Sequence, residues 1–386
     1  MAEYFPVNWV DGMKINKTHF IAQYDAGTYQ QALGLSAFLT DINYGLIPNK
    51  NISDPSVRVY VSADNQQFVN VQILHCTAIT KSGHIVNIVG DSSLNNNHFR
   101  VQIPWLNVPL SEVQGQTRNY FVLISVNPYD RVPSGTINTE ETPPRLPFTA
   151  PKYEVHLLPV EDVRINSLGS SLLPIGKVTV VDQNVTLQED YIPPCATVNG
   201  HILLMDAHAS WSSFLGNIEL TSLQIIQKIL SRKQQNELSA PIQKICENVN
   251  TYISSRYDAF KLVEGNYPPL HIITTIAGLA RSIKNAIDIF LGSSKEELLK
   301  YIDETCGIKQ AEYENAIGNL CNIEYNHFEI AASLEIVNEF VKLTSHLFSS
   351  LLALDYIGKR KEAGIFVKEQ VLSGDRSRFG HFLADE

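Results

Sequence analysis

The chain has 386 residues, enough for two or three domains whose cores need no disulfide or metal staples. Hydrophobic residues make up 44%, which excludes a disordered or collagen-like chain, and no apolar run approaches the roughly 18 residues of a membrane span. Lys and Arg number 30 against 40 Asp and Glu, a formal charge of −10 that argues against nucleic acid or direct insertion into an anionic bilayer.

Only 18% of the residues are charged, below the roughly 25% usual for globular domains. A surface of that kind is either rich in neutral polar groups or covered by other subunits. The first residues lack the basic and apolar regions of a signal peptide, so the expected location is cytoplasmic. The cysteines at 76, 195, 246, 306 and 321 are odd in number and never spaced C-x-x-C, so buried, reduced thiols are expected.

In chain order, the first feature is an arm, 1–20, that crowds Phe5, Trp9, Met13, Ile15 and Phe20 around Gly12. Such an arm docks on its own domain or inserts into a neighbour, because free termini fray and Trp and Phe anchor interfaces. Asn16 or Thr18 is placed to cap a helix starting near Phe20, with Tyr24, Leu33 and Phe38 on its apolar side. Period-two alternation then marks strands at 57–61 and 68–74, with further strands at 120–126, 153–158 and 175–180. Many short strands with turn signals between them predict an antiparallel β-sandwich over 21–203. The stretch 132–151 holds five prolines and is expected to be a long, extended loop.

After residue 203 the period becomes helical, which gives an α+β chain divided by domain, with an α-helical bundle over 204–386. Leu215, Ile218, Ile225 and Ile229 form one stripe; Leu220, Leu223, Ile226 and Leu230 form a second. Together they span a wider arc than one packing partner needs. Ser239 is the expected N-cap of a second helix with Pro241 in its first turn, continued by Ile242, Ile245 and Val249. Further helices are expected near 270–291, 295–305, 309–323 and 328–356. In a monomer these stripes are bundle core; double stripes also fit helices packed across an oligomer axis. The basic run 358–361 is expected to complement the last helix's C-terminus.

Motifs for chemistry are missing: there is no G-x-S-x-G, P-loop, H-E-x-x-H or G-x-G-x-x-G. His201, Asp206 and His208 read as a polar joint rather than a metal site, since positions i and i+2 do not share a helix face. His75 and Cys76 point to opposite faces of a strand, and Glu140-Glu141 reads as a solvated pair. The expectation is a non-enzyme with no catalytic residue, cofactor or metal.

Several segments resemble one family. Asn8-Trp9-Val10-Asp11-Gly12-Met13, with Ile15 and His19-Phe20, resembles the opening W-x-[DE]-G-x-x-L-x-P-x-H-F of TssK, the trimeric baseplate adaptor of type VI secretion systems. Tyr44-Gly45-Leu46, Gly83-His84-Ile85-Val86, Pro144-Arg145-Leu146-Pro147, Leu173-Pro174-Ile175 and Tyr191-Ile192-Pro193-Pro194-Cys195 follow in the family's order. The resemblance implies a shoulder like that of phage receptor-binding proteins, followed by a trimerising neck. It implies a structural adaptor, with the wedge proteins TssF and TssG and a membrane-side complex as partners. Carried over by position, Trp9, Gly12, Met13, Phe20 and Arg145 fall on the family's motifs, and with Phe5 of the arm they are the expected docking residues. Leu215, Ile218, Ile225, Ile229, Ile242, Ile245 and Val249 are the expected trimer neck, and Tyr191, Pro193 and Pro194 a rigid joint. Lys17 departs from the family, which usually has Pro there. A second departure is that no strand alternation follows Gly265, so the family's α/β head is expected to be absent or replaced by helices. The competing expectation is a receptor- or carbohydrate-binding tip with the same architecture, which requires an exposed aromatic cluster on the sandwich. A dispersed enzyme site near His201 and His208 is the third.

Overall fold

A computed structural model describes residues 4–49, 55–63, 68–89, 98–102, 117–163, 168–181, 184–234 and 236–358. Asn16 caps the first helix, α1 (Lys17–Ser36), by accepting the Thr18 and His19 backbone N–H groups, and His19 closes a reciprocal capping box. The helix therefore begins at Lys17, three residues before the expected start.

Nine strands follow among the described residues: β1 (Gly45–Leu46), β2 (Val57–Ala63), β3 (Phe68–Ile79), β4 (Ile85–Val89), β5 (His98–Gln102), β6 (Thr117–Ser134), β7 (Phe148–Pro159), β8 (Leu172–Val181) and β9 (Asn184–Leu187). They form two antiparallel sheets. In one, β3 is central and pairs with β1, β2, β4 and β5; in the other the order is β7-β6-β8-β9. Val69, Val71 and Ile73 from the first sheet join Tyr120, Val122, Ile124, Val178 and Val180 from the second in one buried cluster. That alternation of inward apolar side chains is what a sandwich demands.

The prolines at 132–151 do not make one long loop. After an irregularity between Asn127 and Arg131, β6 pairs onward with β7, Arg131 opposite Pro151 and Ser134 opposite Phe148. Pro151 is tolerated because β7 is an edge strand, with one side free of ladder bonds. Only 135–147 remains as the connection.

Beyond the sandwich the described residues form six α-helices: α2 (Ile202–Ser231), α3 (Ser239–Leu262), α4 (Pro269–Asp288), α5 (Ser293–Cys306), α6 (Gln310–Cys321) and α7 (Ile330–Ala353). Among the described residues no strand follows β9. The stripe assigned to the trimer neck requires correction. Leu215, Ile218, Ile225, Ile229, Ile242, Ile245 and Val249 are all buried within this one chain. Trp211 and Phe214 share their face of α2, and the Trp211 indole N–H donates to Asn338 Oδ1 of α7 at 2.8 Å. The bulkiest stripe thus packs inward against α3 and α7, and it cannot also face another copy.

One capping expectation also changes. Ser239 does not cap α3; the Asn236 side-chain oxygen accepts the N–H groups of Leu238 and Ser239 instead. The C-terminus of α7 is held by Lys228 of α2, whose ammonium donates to the carbonyls of Leu352 and, at 2.8 Å, Leu354. Lys359, Arg360 and Lys361 of the basic run lie outside the described residues.

Candidate protein-interaction faces

Helix α1 is inverted. Only Asp25, Ala26 and Ala32 are buried against the sandwich, whereas Phe20 is 62% exposed, and Ile21, Tyr24, Leu33 and Leu35 also face outward. Phe38, just past the helix, is 81% exposed. Ala32 lies against the turn between β3 and β4, where a Cβ added to Gly83 would meet its carbonyl oxygen, and Asp25 fastens the helix through an ion pair with Arg131 of β6 that is mostly shielded from solvent. The Arg131 guanidinium also lies 4.1 Å from the centre of the Tyr24 ring, a cation–π contact that holds that ring upright.

The arm runs back along this helix. Tyr4 stacks on Tyr129 with ring centroids 4.1 Å apart, and the Val7 N–H donates to Gln23 Oε1 at 3.1 Å. Gly12 has φ +79° in a turn closed by a bond from Met13 N–H to the Val10 carbonyl, a conformation that favours glycine. The turn brings the Trp9 ring to 6.0 Å from His19 and 6.3 Å from Phe20. Of the expected docking residues, Trp9 and Phe20 are therefore neighbours; Phe5 is exposed and Met13 half-buried.

Arg145 stands apart in the 135–147 connection, its carbonyl accepting the Asn138 N–H and its guanidinium paired with Glu141. That ion pair lowers the Glu141 carboxyl pKa. Sequence reasoning missed Ile21, Arg131 and Asp25. With Asn16, Lys17, Phe20 and Tyr24, Ile21 and Arg131 line a shallow groove of about 550 Å³.

A second outward face runs along α2. Ile202, Met205, Leu220, Leu223 and Leu230 are exposed and fall on the side opposite Trp211 and Ile218. Burying one such side chain contributes roughly 1.5–3 kcal/mol, so a face of five is a strong incentive to associate. The second stripe read from the sequence is thus the outward one, with Ile226 half-buried at its edge.

The joint between sandwich and bundle is closely tied. The Leu46 N–H donates to the Pro194 carbonyl at 2.7 Å, and the Ala196 N–H returns to the Leu46 carbonyl at 2.9 Å. Tyr191, Pro193 and Pro194 are buried there, and Tyr191 packs with Phe121 and Phe328 in a small apolar cluster. Lys177 of β8 reaches Glu329, next to α7, at 2.8 Å. The thiols nearby are inert: burial pushes Cys76 up to about 12 and raises Cys195 further.

The histidines at the head of α2 are occupied structurally. His201 Nδ1 accepts the Leu203 N–H, and burial lowers its pKa to about 4. His208 Nε2–H donates to the Phe260 carbonyl at 2.7 Å. Among the described residues no cluster of three or more His, Cys, Asp or Glu could hold a metal ion, and no helix is long and apolar enough to cross a membrane.

The geometry thus defines a sandwich-plus-bundle protein with two outward apolar faces. No family model and no curated protein matches the sequence. Solved structures are similar in shape. A crystal structure of TssK aligns over 92% of this chain and 71% of its own, at 12% identity and a TM-score of 0.47. The TssK–TssF–TssG baseplate subcomplex of a type VI secretion system, solved by cryo-electron microscopy, supplies a match over 89% of this chain and 100% of the matched one, at 10% identity and 0.45. A chain of a type VI baseplate complex covers 73% and 88%, at 12% identity and 0.41. All three TM-scores are below 0.5.

Proposed function

We propose that this protein is a structural adaptor of a type VI secretion baseplate, without catalytic activity, that works as a homotrimer. The inverted α1 carries the proposal: a helix with Ala26 and Ala32 inward and Phe20, Ile21, Tyr24, Leu33 and Leu35 outward is built to be covered by another chain. The ordered motifs that resemble TssK name the setting. In this reading the arm and α1 dock wedge proteins of the TssF and TssG type, Trp9 and Phe20 serving as anchors. The outward stripe of α2 packs against two further copies. A membrane-side complex is the remaining partner in this reading.

A glycan-binding tip is less well supported. The exposed large aromatics gather on the arm and α1, whereas on the strands only Tyr60 and Phe148 are exposed in the described residues.

The test is sedimentation of the chain and of Leu223→Glu. The reading predicts a trimer that falls apart to monomers when the charge is introduced, with the circular dichroism spectrum unchanged. A wild-type monomer at micromolar concentration would remove the trimer. Co-purification tests docking: Trp9→Ala and Phe20→Ser should each lose the wedge proteins, and unchanged recovery would move the docking site elsewhere.

A further inference from the structure

The groove at the start of α1 has an asymmetric chemistry. Its walls are Phe20, Ile21 and Tyr24, and its two cations are Arg131 and Lys17. Arg131 is already neutralised by Asp25, with both side chains mostly shielded from solvent. Lys17 is exposed and forms no ion pair among the described residues. It is also the residue that departs from the family motif, where the resemblance leads one to expect Pro.

Asn16 caps the start of α1, but the first turn contains no acidic residue, so no negative side chain there adds to that cap against the positive end of the helix dipole. Between residues 4 and 24 the charged side chains are Asp11, Lys14 and Lys17, a local excess of one positive charge on a chain of net −10. An apolar floor with one uncompensated cation at its mouth is complementary to a specific kind of segment.

We propose that the groove receives a partner loop in which an aromatic or aliphatic side chain stands beside a carboxylate. The apolar side chain fills the space between Phe20, Ile21 and Tyr24, and the carboxylate pairs with Lys17. This rests on the reading of α1 as the wedge-docking face, and adds to it the chemistry of the segment that docks. Lys17 acts as the selector: a basic or uncharged loop of the same apolar content would seat without its ion pair.

The experiment uses the full chain co-expressed with its wedge partners. A photo-crosslinking benzoylphenylalanine replaces Ile21, and the captured peptide is identified by mass spectrometry. The expected peptide belongs to a wedge chain and carries Asp or Glu within three residues of a large apolar side chain. Wedge affinity is then compared among wild type, Lys17→Glu and Phe20→Ser. Both substitutions are at exposed positions, and an acid in the first helical turn favours the fold. Lys17→Glu should weaken capture about tenfold, and changing the identified acid to Lys should restore most of it.

If Phe20→Ser abolishes capture while Lys17→Glu stays within twofold of wild type, or the captured peptide has no acid, the proposal is wrong and wedge docking stands. If neither substitution changes capture, or the crosslink goes only to another copy of this chain, the docking assignment itself fails and the proposal with it.

Discussion

The Nε2–H of His327 donates to the carbonyl oxygen of Tyr44 at 2.9 Å, across 283 residues of sequence. Tyr325 donates its hydroxyl to the other ring nitrogen at 2.7 Å, and the Tyr44 ring packs edge-on against the imidazole. One residue before β1 and one residue near the start of α7 are thereby locked together. The ring is buried, and both of its nitrogens are engaged in the neutral form. The sandwich is therefore not free to swing on the bundle at this point.

The first prediction concerns pH. Burial lowers the His327 pKa to about 4, from an ordinary value of 6.5. The unfolded state binds a proton at higher pH than the folded state, so the stability from the neutral ring is complete above pH 6.5. It is lost as pH falls from 6.5 towards 4, to the extent of about 3 kcal/mol. His201 acts in the same direction. Denaturant midpoints measured across this window should fall with pH, and His327→Gln should flatten the fall while lowering stability at pH 7. A wild-type midpoint independent of pH between 6.5 and 4 would contradict the account.

The joint also depends on Gly45. Its φ is +109°, and a Cβ built there would lie 2.0 Å from the Pro194 carbonyl oxygen. Gly45→Ala must either move the Pro194 segment or break the bond from Leu46, and should cost about 4 kcal/mol or more. Urea unfolding measures it; a loss under 1 kcal/mol would mean that the joint yields easily.

Lys228 offers a test of the bundle's far end. Its two bonds to the last carbonyls of α7 are charge-assisted, and Lys228→Met should cost about 1–3 kcal/mol. Hydrogen exchange should show faster opening of the last turn of α7 with the rest of the bundle unaffected. Unchanged protection there would show that the cap contributes nothing.

The Asp25–Arg131 pair is the main polar fastener of α1. Asp25→Ala leaves the Arg131 charge partly buried and unpaired, so it should cost about 3 kcal/mol and loosen α1 before the sheets unfold. Replacing both residues should cost less than the sum of the single changes. Strict additivity in that double-mutant cycle would show that the two groups do not interact.

Much of this architecture is legible in the sequence. The change from period two to a helical period near residue 203 marks the passage from sheets to helices. The double stripe of α2 corresponds to one buried and one largely exposed face of that helix. Which stripe faces inward was not legible from aliphatic spacing alone, because Leu215–Ile218 and Leu220–Leu223 look alike. Trp211 and Phe214 carry the signal: the stripe that includes the bulkiest side chains is the one a bundle core must bury. The spacing puts Tyr24, Leu33 and Phe38 on the apolar side of the first helix, yet all three are exposed, and the residues α1 buries are Asp25, Ala26 and Ala32. The groove depends on Arg131, 107 positions after Tyr24, and no local pattern joins those two residues.

The central claim is that the outward faces of α1 and α2 are covered by other chains. Native mass spectrometry of the protein co-expressed with its wedge partners tests it most directly. The account predicts an assembly containing three copies of the 43.2 kDa chain together with wedge subunits. A single copy of 43.2 kDa, alone and stable at micromolar concentration, would contradict it.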